Sequence, residues 1–396
     1  MKICIILREP YPRGMACSGR IHFYARGLIQ QGHDVKIRIP LPLDLPGQIL
    51  NPNRAGMFEG VPYTYSWKTT VRSKSFLGRR FHDFFGPLGA AFHCVKVPSN
   101  LILLVSNSTY LIFLFRLVAW LVGAKYIIEK SELPFFNKES LNLWQRLYTH
   151  FIYKSFDGMI VISNSLAHYF EKKLRRKAPI LRLPIIVDVD QIYNPTMNRE
   201  KTIAYTGTLT QHKDGILTII ECFAKVSETY REYTLEMTGN LGRSPVRQEI
   251  IALVEKYQLQ HRVRFLGVVD WKTLLVVLNR AGVLVLAKPY SRQASACFPT
   301  KLGGYLATGN PVLVTRVGEI SQHLKDGITA FLTEPTVEAF TGRLHDVLSD
   351  TVNGRRVGRH GQEYARKNYD ISCQIPRLCK FLEDICVEEL RLYRGK

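Results

Sequence analysis

The chain has 396 residues, 46% hydrophobic and 22% charged, with Lys plus Arg 54 against Asp plus Glu 33 and a formal net charge of +21. That length exceeds one ordinary domain, and the composition excludes a disordered, collagen-like or repeat protein, so two packed cores are expected. The positive balance favours anionic partners. No helix-turn-helix, RNA-recognition or zinc signature accompanies it, which argues against nucleic acid and leaves phosphorylated ligands and anionic lipid.

Lys2–Leu7 reads as a buried first strand, its apolar run being too short for the core of a secretory signal. A Gly/Pro-rich loop, Glu9–Gly14, leads to a helix with Ile21, Tyr24, Ala25, Leu28 and Ile29 on one face and Ser18 as a candidate cap. Gly32-His33 closes that helix, and Val35–Ile39 is a second strand; this β-loop-α-β unit opens a parallel sheet. Residues 57–100 are mixed and interleave aromatic with basic residues, and the segment 67–97 is expected to meet an anionic membrane surface, against the alternative of a solvated basic face. The apolar run Leu101–Ile128 imitates a membrane span, but Ser106–Thr109, Arg116 and Gly123-Ala124-Lys125 interrupt it. A strand over Leu101–Val105, a helix over Thr109–Val122 and a strand over Tyr126–Glu129 account for it. A helix over Leu141–Phe156, a strand over Gly158–Ile162, a helix from Ser165 to Lys173 and a strand over Ile180–Ile186 follow. The polar stretch Asn194–Lys201 then marks a domain boundary near 190–200.

In the second half, strands over Thr202–Tyr205, Tyr233–Thr238, Val263–Leu266, Val283–Ala287 and Pro311–Thr315 alternate with helices over Gly215–Val226, Arg247–Tyr257, Leu274–Ala281 and Pro299–Thr308. An amphipathic helix over Pro376–Leu392 closes the pattern, its proline at the start, where a helix tolerates one. The eight cysteines form no CxxC pair and no Cys/His cluster of zinc spacing, so free thiols in a reducing, cytoplasmic setting and no metal are expected.

Two stretches carry chemistry. In the first, Tyr205-Thr206-Gly207-Thr208-Leu209 ends a strand and Lys213-Asp214-Gly215 precedes a helix. Gly207 allows close approach of backbone to a ligand and Lys213 offers a charge to phosphate, although a plain βα turn with a surface lysine has the same pattern. In the second, Phe298–Pro311, the first turn of a helix would turn unpaired N–H groups toward a diphosphate. Lys301 in that turn opposes the helix dipole, which suggests an anion nearby, against the alternative of a solvated lysine. In the first half the loop Arg13-Gly14-Met15-Ala16 and the post-strand carboxylates Glu129 and Glu132 are candidate acceptor-side groups. Surface salt bridging is the plainer reading of the two glutamates, and a packed histidine the plainer reading of His22.

Taken together, the opening strand and loop, Glu129–Pro134, Phe156–Ser163, Tyr205–Gly215, Val263–Gly267 and Phe298–Pro311 resemble the family-4 retaining glycosyltransferases, in particular their bacterial polysaccharide and glycoconjugate branch, over nearly the whole chain. The resemblance implies an α/β fold of the GT-B type, with two Rossmann-like doubly wound domains facing a cleft. These are an acceptor-binding domain over 1–190 and a nucleotide-sugar-binding domain over 191–370, with a C-terminal helix, 371–396, returning to the first. It implies that the backbone of Gly267 and Val268 meets the base and Lys213 the diphosphate of a nucleotide-sugar donor. Gly14, Gly207, Thr208, Pro299, Thr300, Lys301 and Gly304 would complete the donor site, and Glu129, Glu132 and Lys213 are the candidate catalytic groups. No metal or cofactor beyond the donor is implied; the acceptor would be a glycan or a lipid-linked one, and a lipid-linked acceptor would bring the cytoplasmic protein peripherally to the inner face of the cell membrane.

The sequence also departs from that family. Thr208 stands where an arginine is common, and Lys288 and Arg292 are possible replacements for its charge. The usual pair of glutamates eight positions apart is replaced by Ala296 and Gly304, and Cys297 stands where glycine is usual. Gly303 and Gly304 place two glycines in succession inside a helix, each costing about 1 kcal/mol relative to alanine. A rival reading follows from the lost carboxylates: a non-catalytic protein of the same fold that binds a partner enzyme or a glycan.

Overall fold

The computed structural model describes residues 1–134, 142–174, 178–296 and 298–394. Cys297 and the expected start of a helix at Leu141 lie outside the described residues. The chain divides into two compact units, Met1–Pro184 with Ile371–Lys396, and Ile185–Asp370.

Among the described residues the first unit has an eight-stranded sheet made of β1 (Lys2–Leu7), β2 (Asp34–Ile39), β3 (Ala55–Phe58), β4 (Val61–Tyr65), β5 (Leu101–Val105), β6 (Lys125–Lys130), β7 (Gly158–Val161) and β8 (Ile180–Arg182). Their order is β3-β4-β2-β1-β5-β6-β7-β8, parallel throughout except for the β3–β4 hairpin. Central parallel strands are covered on both faces, and β5, Leu-Ile-Leu-Leu-Val, is accordingly buried at every position. The run that imitated a membrane span is β5, the helix Thr109–Val122 and β6, and no helix among the described residues is long and apolar enough to cross a membrane. Gly123 ends that helix in the left-handed conformation.

The second unit has a six-stranded, wholly parallel sheet of β9 (Thr202–Tyr205), β10 (Thr234–Thr238), β11 (Val263–Gly267), β12 (Val283–Leu286), β13 (Val312–Thr315) and β14 (Phe331–Thr333), in the order β11-β10-β9-β12-β13-β14. The chain winds outward in one direction from β9 to β11, then returns to the other side of β9 at β12. In open sheets of this kind ligands bind outside the carboxyl ends of the strands at that reversal. The carboxyl ends of β9 and β12 carry Thr206-Gly207 and Ala287-Lys288.

Several elements differ from the sequence reading. The stretch 57–100, left without regular structure, contains the β3–β4 hairpin and the helix Phe76–Lys96, capped by Ser75. It escaped notice because the helix hides small residues (Gly86, Pro87, Ala90, Ala91 and Cys94) instead of large apolar ones. The strand expected over Ile180–Ile186 stops at Arg182, and Val187 bridges Asp370. The helix expected over Pro299–Thr308 runs Lys301–Ala307, with Pro299 buried ahead of it. The C-terminal helix begins at Ile371, so Pro376 lies inside it and not at its start. That helix packs on the first unit through Ile375, Leu378, Leu382 and Ile385, and Ile375 sits so close to Gly27 that a Cβ there would be 2.4 Å from its Cγ1. Packing of this apolar stripe outweighs the one backbone hydrogen bond a proline removes.

Candidate functional site

The site in the second unit is organised by two tyrosines that cross between β9 and the helix Lys301–Ala307. Tyr305, from the helix, accepts the Thr206 backbone N–H at 2.7 Å, pinning the chain as it leaves β9. Tyr205, from β9, accepts a hydrogen bond from Lys301 Nζ at 2.8 Å, and its own proton is shared between the Thr208 carbonyl at 2.7 Å and Asp214 Oδ2 at 2.9 Å. Lys301 Nζ also lies 3.0 Å from Asp214 Oδ1 and 4.5 Å from the centre of the Tyr205 ring. Lys301 and Tyr305 are four apart and share one helix face, so one short helix supplies both anchors.

The backbone makes room for this arrangement. Gly207 adopts φ 138°, and a Cβ there would stand 2.6 Å from Lys301 Nζ. Gly215 adopts φ 68°, and a Cβ there would be 1.8 Å from the Ala287 carbonyl oxygen. Only glycine permits the loop after β9 to pass this close to the end of β12. Beyond Gly215, Lys288 Nζ donates to the Lys213 carbonyl at 3.0 Å, tying the two strand ends together.

Electrostatically the site is a cluster of ammonium groups with one buried carboxylate among them. Burial lowers the Lys301 pKa; Asp214 opposes that, while Lys288 and Lys213 add to it, which places both of those lysines within electrostatic reach of Lys301. The Tyr205 hydroxyl is pushed well above its usual range by burial and then by Asp214, so it remains a neutral donor. An anion added at the carboxyl ends of β9 and β12 would be attracted to these ammonium groups.

Residues 192–367, nearly the whole of the second unit, match the family model described as glycosyl transferases group 1. Both units have the doubly wound sheets that the GT-B fold requires. The second unit thus carries a glycosyl transferases group 1 match, and the chain has the GT-B fold. It is 29% identical over 154 residues to an uncharacterized glycosyltransferase of Methanocaldococcus jannaschii, a match covering 38% of this chain and 36% of that protein. The chain thus spans about a third of the length of the curated relatives it matches. The sucrose-phosphate synthase of Thermosynechococcus elongatus shares the fold with a TM-score of 0.72 at 18% identity, over 100% of this chain and 98% of that one. The Anabaena HepE protein in complex with UDP-glucose does so with a TM-score of 0.70 at 12% identity, over 97% and 100%.

Of the residues expected to form the donor site, Gly207, Thr208, Lys213 and Lys301 come together around Asp214. Thr300 is the residue before the Lys301–Ala307 helix. Gly267 ends β11, the edge strand beside β10, and its carbonyl accepts the Gly239 N–H at 2.7 Å, while Val268 is exposed. Lys288 joins the cluster, and Arg292 lies in the helix Arg292–Ala296. The two glycines of the 301–307 helix have different causes. A Cβ on Gly303 would be 2.6 Å from Val187 Cγ1 and 2.8 Å from Ile185 Cδ1, whereas a Cβ on Gly304 would meet only Ile192 Cδ1 at an ordinary 3.9 Å. Close packing demands the first glycine and leaves room for a side chain at the second. Asp214, Tyr205 and Tyr305 were not singled out from sequence as site residues. The i, i+4 spacing of Lys301 and Tyr305 was the signal available.

In the first unit, Glu129 at the end of β6 is buried, 4% exposed, and its Oε1 accepts from Arg20 Nε at 3.1 Å and Ser131 Oγ at 2.6 Å. Arg20 spends its other donors on the carbonyls of Leu183 and Pro184. Glu132 is half-buried, and its charge contributes, after burial, to raising the Glu9 carboxyl above its usual value. Gly14 packs against the Pro10 carbonyl and Ser18. His22 is packed and satisfied, with Tyr11 OH at 2.8 Å and Glu59 at 3.1 Å.

Proposed function

We propose that the protein is a retaining hexosyltransferase that takes its sugar from a nucleotide-diphosphate donor and delivers it to a glycan or lipid-linked acceptor. The observation that carries this reading is the cluster of Lys213, Lys288 and Lys301 around one carboxylate at the strand reversal of the second unit, beside a glycine that opens the backbone. The group 1 family match over that unit supports it, as does a shared fold with a protein whose structure holds UDP-glucose. In the reaction the bond between the sugar's anomeric carbon and the diphosphate oxygen breaks. The acceptor hydroxyl forms the new bond on the same face, and the diphosphate leaves with the electron pair and takes up the hydroxyl's proton. The chain's part is to hold that leaving anion against fixed ammonium groups, a form of stabilisation that often dominates catalysis. These side chains, not a metal, are assigned the phosphate charge.

The test is a panel of UDP-, GDP- and ADP-sugars, followed for release of the nucleoside diphosphate with and without glycan acceptors. One donor is expected to be turned over, and Lys213→Ala to lower that turnover at least about tenfold. No turnover of any donor, together with no nucleotide binding, would return the protein to the non-catalytic reading.

A further inference from the structure

Three helices of the first unit carry apolar stripes on the side facing away from the sheet. On Phe76–Lys96, Leu77, Phe81, Phe84, Leu88, Phe92 and Val95 recur at helical spacing and are all exposed, with Phe76 and Phe85 beside them. On Thr109–Val122 the exposed positions are Phe113, Leu117, Trp120 and Leu121, and on Leu143–Ile152 they are Leu143, Trp144, Leu147 and Phe151. The three helices join β4 to β5, β5 to β6 and β6 to β7, successive right-handed crossovers in one direction, which places them on one face of the sheet. They are also tied side by side: the Tyr110 hydroxyl donates to the Phe84 carbonyl at 3.0 Å, and Thr109 and Tyr148 share a hydroxyl hydrogen bond.

The apolar area is large. Nine of these side chains are Phe or Trp, each between 44% and 79% exposed. At roughly 150–250 Å² per ring they alone present on the order of 1,000 Å², beyond the few hundred Å² usual for the largest apolar patch of a monomer. The charge of the first of these segments is mostly positive. Residues 67–97 contain Lys68, Arg72, Lys74, Arg79, Arg80 and Lys96 against the single acid Asp83. Arg79 and Arg80 lean over the Phe76 ring and Lys154 over Phe151. Arg116, the one charged residue of the Thr109–Val122 helix, is turned to Asp157 at 3.5 Å.

We propose that these three helix faces form one surface that seats in the headgroup region of an anionic bilayer, with Trp120 and Trp144 inserted and the basic rim on the phosphates. Charge complementarity selects the occupant: a broad apolar face rimmed by Lys and Arg matches acyl chains beneath a negative headgroup layer. No helix among the described residues is able to span, so the attachment lies in the plane of the interface. The surface extends well past the basic segment 67–97, and it does not depend on the sugar-transfer reading.

The full chain is mixed with phosphatidylcholine vesicles with and without phosphatidylglycerol, and co-flotation is measured across a salt series without nucleotide sugar. Flotation with the anionic vesicles, weakening as salt screens exposed charge over about 8 Å at physiological strength, is expected. Trp120→Glu and Trp144→Glu, both at exposed positions, are each expected to lower partition about tenfold or more while leaving the melting temperature unchanged. In the unaltered protein, brominated lipid is expected to quench tryptophan fluorescence, a readout that needs no variant. Wild-type protein that stays with the soluble fraction at low salt overturns the proposal, as does undiminished binding by both variants. A dimer dissolved by the same substitutions, with no vesicle binding, also overturns it and assigns the face to a second copy of the chain.

Discussion

Gly303 and Gly304 are adjacent in sequence and chemically identical, yet the structure predicts opposite responses to alanine. At 304 the new methyl meets only Ile192 at 3.9 Å, so the gain is the helix propensity difference, about 1 kcal/mol. For a unit the size of Ile185–Asp370 this raises its melting temperature by roughly 2–4 °C. At 303 the methyl lands 2.6 Å from Val187 and 2.8 Å from Ile185, and overpacking of this kind costs about 1–3 kcal/mol, which outweighs the same propensity gain. Thermal unfolding of the two variants measures both effects directly. Gly304→Glu then adds a carboxylate on the helix face of Lys301, at the place of the second glutamate of the resembling family-4 enzymes, which the resemblance implies would meet the donor ribose. Charge-assisted hydrogen bonds to two hydroxyls would tighten donor binding about tenfold or more, at roughly 1.5–3 kcal/mol each. Gly304→Ala is the control, because it restores propensity without the carboxylate. Equal destabilisation by Gly303→Ala and Gly304→Ala would refute the packing argument. Equal donor affinity in Gly304→Ala and Gly304→Glu would remove the ribose from this face.

Lys213→Ala is expected to abolish most of the melting-temperature rise that UDP or GDP produces, and an undiminished shift would place the phosphates elsewhere. Glu129→Ala strands the buried guanidinium of Arg20 and is expected to cost about 3–5 kcal/mol in chemical denaturation; loss of activity with unchanged stability would instead mark Glu129 as a reacting group. Lys130, buried at the end of β6, has its pKa pushed by burial from 10.5 down to about 8. Between those values the unfolded chain holds the proton and the folded chain does not, so this group makes stability rise with pH from about 8 to 10.5. Lys130→Met should flatten that rise in pH-dependent denaturation.

The alternation of apolar runs with helical periods and Gly/Pro punctuation determined by itself that this is an α/β chain with two doubly wound halves. A short continuous apolar run such as Leu101–Val105, bounded by turn residues, fits a buried parallel strand, and β9 with the Lys213 loop was legible because Gly207 and Gly215 mark backbone that must turn or approach closely. The ends of elements were less legible, since caps and breakers such as Pro299 and Pro376 act locally while packing decides where a helix begins. Only the tertiary structure separated Gly303 from Gly304, because one neighbour, Val187, arrives from a distant part of the chain. Only it turned Glu129 into a buried partner of Arg20. It alone brought Asp214 and Tyr205 to Lys301 and showed the apolar stripe of Phe76–Lys96 facing outward. A sequence period reports that a helix has an apolar face. Which face is covered depends on what packs against it, and there the small residues Gly86, Ala90 and Ala91 fit closest to the sheet and left the aromatic side exposed.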